Sequence, residues 1–349
     1  MTIEAITAPS YELPDFALRR LNLADSSIGA SVLSFSDAFF GSPERMLNPL
    51  PPVFYPTRYD DSGKWMDGWE SKRRRGPGHD WAIVRLAMPG RIHGIDLDTS
   101  FFTGNFPLAV SVEAGYSSKP EPDAEVFWRE IVPATAMRGD SHHFIPVTDT
   151  GVFTHLRINL IPDGGLARLR VYGDVHRVGR KITSEERINL LALELGGREV
   201  AWNDSHYGTP MNLLKPNRGR DMGDGWETRR RREPGHDWCI LRMGFPGTVD
   251  TIEIDTAHFK GNYPERFSLQ GALMPEAPAA SIVAQSQFWQ TLLPEQTLRA
   301  DSIHEFASHL ILPHGPINHV RLNIFPDGGV SRMRLWGYRH LPQKTDRDE

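Results

Sequence analysis

Two short segments concentrate the side chains able to do chemistry. In "DGWESKRRRGPGHDW", Asp67 to Trp81, His79 and Asp80 follow Arg73, Arg74 and Arg75, with Trp69 and Glu70 just upstream. "DGWETRRRREPGHDW", Asp224 to Trp238, repeats the set as Trp226, Glu227, Arg230, Arg231, Arg232, His236 and Asp237. Histidine exchanges protons near neutral pH, and a carboxylate beside it takes or gives one. Guanidinium forks suit a carboxylate or a ureido oxygen. Neighbours on an extended segment point alternately, so only some of the arginines can face one ligand. The four tryptophans of the two segments would wall a pocket and exclude water. The same network also suits bracing a long loop or building a subunit interface, and the residues alone leave both uses open.

A second repeated element follows, "DTSFFTGNFP" from Asp98 and "DTAHFKGNYP" from Asp255. Thr99 and Asn105, like Thr256 and Asn262, offer hydrogen bonds to a polar ligand, or ordinary Asx-turn chemistry. The copies differ at Phe101 against His258 and at Thr103 against Lys260, which makes Lys260 a further binding candidate. Familiar constellations are missing: no G-x-S-x-G elbow, no phosphate loop, no H-E-x-x-H. Cys239 aligns with Ala82 and is a poor nucleophile candidate. A protein-held catalytic metal needs about three ligands. Adjacent His and Asp on a strand face opposite ways, and His142, His143 and His304 lack ligand spacing. No cofactor is demanded, and a divalent cation such as Mn²⁺ held by carboxylates is left open.

The elements that must position these residues are themselves duplicated. Arg20 to Pro49 aligns with Arg187 to Pro216 without a gap. From Asp67 to Pro107 against Asp224 to Pro264, roughly 23 of about 41 positions are identical, far above chance. "FWREIVP" pairs with "FWQTLLP", and "HLRINLIPDGGLARLRVYG" from His155 with "HVRLNIFPDGGVSRMRLWG" from His319. Two domains follow, residues 1–178 and 179–349. Leu156, Ile158 and Leu160 alternate with Arg157 and Asn159, "PDGG" reads as a turn, and Leu169 and Val171 resume the inward pattern. Pro89-Gly90 and Pro246-Gly247 read as turns between strands. Short strands with frequent Gly and Pro predict an all-β fold, a tandem duplication of a jelly-roll β-sandwich. "TSEERINLLALEL" is the one helix candidate, with Thr183 and Glu186 at capping-box spacing.

The chain has 349 residues and a formal net charge of −5, with a pI near 6.3. That balance opposes a general nucleic-acid binder despite the arginine runs. No apolar run is long enough to span a bilayer, and the N-terminus lacks the basic and apolar regions of a signal peptide. A single cysteine fits a reducing compartment. A cytoplasmic location with no membrane partner is the expectation.

Taken together, "DGWE-x-x-RRR-x-x-PGHDW", "DT-x-x-F-x-GN-x-P", the "FFG" and "HYGTP" segments and "PDGG-x-x-R-x-R-x-x-G" resemble the allantoicase (allantoate amidinohydrolase) family, in both halves and in the same order. The resemblance implies two galactose-binding-like jelly rolls, a homo-oligomer, and hydrolysis of allantoate to ureidoglycolate and urea during purine degradation. A small ureide with one carboxylate fits the residue types. Proton transfer would then fall to His79 and Asp80 or to His236 and Asp237, with Glu70 and Glu227 as further candidates. Substrate binding would fall to the arginines with Trp69, Trp226, Asn105, Asn262, Thr99, Thr256 and Lys260. A non-catalytic carbohydrate- or ureide-binding tandem module is the alternative.

Overall fold

The computed structural model describes residues 5–9, 11–17, 20–176, 182–275 and 277–341. The chain divides into two compact units, residues 1–178 and 179–349. Each is a β-sandwich with jelly-roll-like antiparallel topology, built around one 19-residue strand, Asp80–Asp98 in the first unit and Asp237–Asp255 in the second. The first half of Asp80–Asp98 pairs with Ser31–Phe35 and Val152–Ile161. Its second half pairs with His142–Pro146 and Arg168–Val175. One strand therefore serves both layers. The second unit repeats the plan with Arg198–Trp202, Ile317–Phe325, Ile303–Ala307 and Arg332–Arg339 around Asp237–Asp255.

The alternation read in the sequence is the alternation of burial. Leu156, Ile158, Leu160, Leu169 and Val171 are all fully buried, as a sheet with one face on a core requires.

Two local expectations fail, each for a physical reason. Pro89-Gly90 and Pro246-Gly247 are not turns between strands but lie inside the continuous long strands. Ladder pairing with Val152–Ile161 slips there: Phe153 faces Gly90, and the next partners are His155 and Arg85. The proline, which lacks an N–H, occupies the stretch that this neighbour leaves unpaired. Gly90 allows a close crossing, since a Cβ there would lie 2.6 Å from a Leu23 methyl. The helix expected over Thr183–Leu195 is instead a short strand, Arg187–Asn189, and a 3₁₀ turn, Leu193–Leu195. Ile188, Leu190, Leu191, Leu193 and Leu195 are all buried, which no single helical stripe would achieve. Asn189 also draws the backbone out of a helix, its Oδ1 accepting from the amides of Leu191 at 3.2 Å and Leu335 at 3.1 Å. The α-helix among the described residues is Ala279–Ser286, packed through Ile282 beside Trp289.

Besides that helix, a segment before the charged block breaks the symmetry. Between the aligned Pro49 and Asp67 the first unit has residues 50–66, whereas the second has only 217–223 between Pro216 and Asp224. The longer segment forms Val53–Phe54, paired with Ile6–Thr7, and a hairpin of Tyr59–Asp60 with Gly63–Lys64. The shorter one closes through a 3₁₀ turn, Met222–Asp224.

Candidate active site

Separate repeated motifs meet at one carboxylate in each unit. Trp69–Glu70 pairs with Gly165–Leu166 of the "PDGG" motif, and Glu70 bridges Gly41 of the "FFG" motif on its other side. The backbone carbonyl of Asn105, from the "GNFP" loop, accepts from the Gly165 amide at 2.7 Å. Asn105 Nδ2 then donates to Glu70 Oε1 at 2.7 Å. The second unit repeats this with Gly329 N to Asn262 O at 2.8 Å and Asn262 Nδ2 to Glu227 Oε1 at 2.6 Å. The glycines are sterically required. Gly164 and Gly328 have φ of 136° and 133°, and a Cβ on them would come within 2.5 Å of Pro107 N and 2.7 Å of Asn262 O. Only glycine allows the two loops to lie against each other.

The tryptophans beside these glutamates are core residues rather than pocket walls. Trp69 and Trp226 are fully buried, and their indole N–H groups donate to the carbonyls of Asp37 at 2.8 Å and Asp204 at 3.0 Å. They anchor the Trp-Glu dipeptide, so the glutamate side chain has a fixed origin.

Within each arginine triplet the middle residue is structural. Arg74 donates from its guanidinium to Asp80 Oδ1 at 2.5 Å, and from its backbone N–H to Asp163 Oδ2 at 2.8 Å. Arg231 does the same to Asp237 at 2.6 Å and Asp327 at 2.8 Å. Asp80 also accepts from the Ser36 hydroxyl, and Asp237 from the Asn203 amide. Both aspartates are thus buried braces. Arg73, Arg75, Arg230 and Arg232 are exposed.

His79 is exposed. His236 is half-buried against the Phe325 ring, with Nε2 3.3 Å from Asn323 Oδ1. Burial, assisted by the charges of Arg321 and Arg231, lowers its pKa despite the Asn323 bond, and the lowered value favours the neutral imidazole. Thr99 and Thr256 are fully buried and donate to the carbonyls of Arg138 and Arg299, each at 2.6 Å, fastening a neighbouring loop.

Each Glu–Asn pair borders a cleft. In the first unit it is a cavity of about 310 Å³, lined by Glu70, Asn105, Thr103 and Lys64 with Phe40, Phe54, Met66 and Phe101. In the second it is about 510 Å³, and Glu227, Asn262, Arg230, Tyr263 and Asp327 are among its walls. A separate cleft of about 390 Å³ runs along Arg229 to Glu233 with Asn203, Asp204 and Asp237. Neither histidine and neither threonine lines any of these three clefts, and Lys260, which is exposed, is absent from them too. Glu70 is 8 % exposed. Its burial, reinforced by the charge of Asp60, raises its pKa above the ordinary carboxylate value although the Asn105 bond opposes the shift. Among the described residues no group of three or more His, Cys, Asp or Glu is placed to hold a metal ion.

Lys64, Phe54 and Met66 were not candidates in the sequence, because their segment has no partner in the other half. The length difference between residues 50–66 and 217–223 was the available signal. Arg168 and Arg332 were missed as well. Both are almost completely buried, and they donate to Asp67 at 2.6 Å and Asp224 at 2.8 Å, fixing the start of each charged block.

The family pattern described as "Allantoicase repeat" matches residues 21–176 and 188–340, covering the same paired motifs in both units. The chain belongs to the allantoicase family. "Probable allantoicase 1" of Burkholderia mallei is 53% identical over 324 residues, covering 93% of this chain and 96% of that protein. "Probable allantoicase" of Acinetobacter baumannii is 50% identical over 332 residues, covering 95% and 97%. The crystal structure of allantoicase from Saccharomyces cerevisiae superposes with a TM-score of 0.75 at 33% identity, covering 91% of this chain and 93% of that one. The duplicated sandwich is therefore shared with a solved allantoicase.

Proposed function

We propose that the chain is an amidinohydrolase that splits allantoate into ureidoglycolate and urea, consuming one water. The observation that carries this reading is the convergence of repeated motifs on a Glu–Asn pair at a cleft, in a chain that matches the allantoicase repeat in both units. Allantoate presents one carboxylate and two planar ureido arms on a single carbon. Cations at the cleft, Lys64 in one unit and Arg230 in the other, suit the carboxylate. The asparagine bond fixes the glutamate rotamer, as a positioned acid–base group requires. Departing urea must be protonated, and a glutamate whose acid form is favoured by burial can supply that proton. Proton transfer is therefore assigned to the buried glutamate, Glu70, rather than to the histidine–aspartate pairs.

Incubation with allantoate should release urea in an amount equal to the allantoate consumed. Binding that raises the melting temperature with no urea at any pH, with or without added Mn²⁺, would instead identify a non-catalytic ureide-binding module.

A further inference from the structure

The two Glu–Asn junctions share a backbone plan, yet their surroundings suit different tasks. We propose that only the first unit turns substrate over, with Glu70 as the proton donor and the segment 50–66 as the wall that closes its site. This rests on the allantoate-hydrolase reading above.

Three independent observations point to the first unit. The segment 50–66, absent from the second unit, supplies Phe54, Lys64 and Met66 to the cavity at Glu70. Phe54 stacks on Phe101 with ring centroids 5.5 Å apart and planes 19° from parallel, forming a continuous apolar wall. In the second unit the position of Phe101 is held by His258, whose Nε2 is 2.8 Å from the Gly219 carbonyl. Second, the glutamates differ in burial: Glu70 is buried, whereas Glu227 is only partly so. Water exclusion strengthens each electrostatic contact inside such a site. Third, the charges differ. The first cavity sets one carboxylate, Glu70, against the Lys64 ammonium. The second sets Glu227, Glu265 and Asp327 against the single guanidinium of Arg230. Three carboxylates line the second cleft and one lines the first, where Asp60 acts from outside the lining, so an anionic ureide meets more like-charge repulsion in the second.

Lys64 is held in place, its Nζ donating to the Pro56 carbonyl and lying 4.9 Å from the Phe54 ring centroid. It is thereby poised to meet the substrate carboxylate. Asn105 occupies Glu70 Oε1, which leaves Oε2 for the proton. Glu70 gives that proton to the ureido nitrogen on the central carbon. The C–N bond breaks, its electron pair stays with the nitrogen, and urea departs. The lone pair of the remaining ureido nitrogen supports the electron-poor carbon. The oxygen of a water molecule bonds to that carbon, and the water's proton returns to the Glu70 carboxylate. The sum is one water consumed, one C–N bond broken and one C–O bond formed.

The test measures urea release by the full chain and three variants. Glu70→Gln should lose at least about 100-fold in kcat, the low end of what a general acid contributes, and should abolish the pH dependence set by that group. Glu227→Gln should keep kcat within about threefold of the parent, a loss too small for a proton donor. Lys64→Met should raise KM about tenfold, equivalent to about 1.4 kcal/mol, with little change in kcat. Loss of turnover in Glu227→Gln, alone or together with Glu70→Gln, overturns the assignment to the first unit. If Glu70→Gln fails to fold, an unchanged KM in Lys64→Met overturns it. Absence of urea from the parent protein removes the hydrolase reading itself, a result distinct from either.

Discussion

Arg74 and Arg231 show why a run of identical residues does not imply identical roles. In each triplet the middle guanidinium is bound to a buried aspartate and its backbone N–H to the "PDGG" aspartate, while its neighbours reach solvent. Removing Arg74 or Arg231 leaves Asp80 or Asp237 buried with one fewer partner, and a broken buried pair costs about 3–5 kcal/mol at most. Arg74 and Arg231 are each about a quarter exposed, so solvent screening reduces that figure to about 1–2 kcal/mol. Unfolding free energies from urea denaturation should therefore fall for Arg74→Ala and Arg231→Ala and stay within about 0.5 kcal/mol of the parent for Arg73→Ala and Arg75→Ala. The histidines separate in the same way. His79→Ala and His236→Ala should both retain kcat within about threefold, against the 100-fold or more of a general acid. A 100-fold loss in either would return proton transfer to the histidines.

At the scale of elements, the glycine pair of "PDGG" controls the site more than any turn preference suggests. Gly164 and Gly328 combine positive φ with direct backbone contact against the "GN-x-P" loops. Alanine there must push Asn105 or Asn262 away from its glutamate. Gly164→Ala should lower thermal stability by more than the roughly 1 kcal/mol of a simple left-handed penalty, and it should lower kcat together with stability. Gly76→Ala, where a Cβ meets no atom within 4 Å, is the control and should do neither. The long strands carry the complementary lesson. Their prolines looked like turn residues because the sequence shows a proline and a glycine but not where neighbouring ladders skip. The supposed helix misled similarly: its apolar residues are spaced for burial on several sides, a distinction visible only once Asn189 and the strand Arg332–Arg339 are in place.

At the scale of the whole molecule, each unit has its own ionic anchor for the charged block, and the two differ. In the second unit Asp224 accepts from Lys215 and from Arg332, both at 2.8 Å. Burial alone would raise its pKa, but these cations outweigh it and hold the carboxyl down at about 2. A depressed carboxyl contributes stability that is complete above its unfolded value, near 3.8, and is lost as pH falls through about 2. In the first unit Asn48 stands where Lys215 does, and Asp67 pairs with Arg168 at 2.6 Å. Lys215→Met should therefore raise the acid-unfolding midpoint of the second unit toward pH 3–4, roughly the unfolded carboxyl range, and leave that of the first unchanged. Acid titrations of single-tryptophan reporters in each unit would read the two separately. Movement of both midpoints together would show that the units do not titrate independently.

The sequence by itself determined the duplication, the all-β class and the residue types of the charged block, because identity between halves and period-2 alternation are written in one dimension. It also determined which loops recur, and so that Glu70, Asn105 and the "PDGG" glycines belong to one repeated plan. Only the tertiary structure decided that Trp69 and Trp226 lie in the core, that the middle arginines and both aspartates are braces, and that the threonine hydroxyls fasten loops. Those roles depend on burial and on partners that include residues far along the chain, as between the Arg74 amide and Asp163, 89 residues apart. The asymmetry of the two clefts also needed three dimensions. A ten-residue difference in length is legible in the chain, but its effect arises only because the extra segment folds beside Glu70 and lines its cavity with Phe54, Lys64 and Met66.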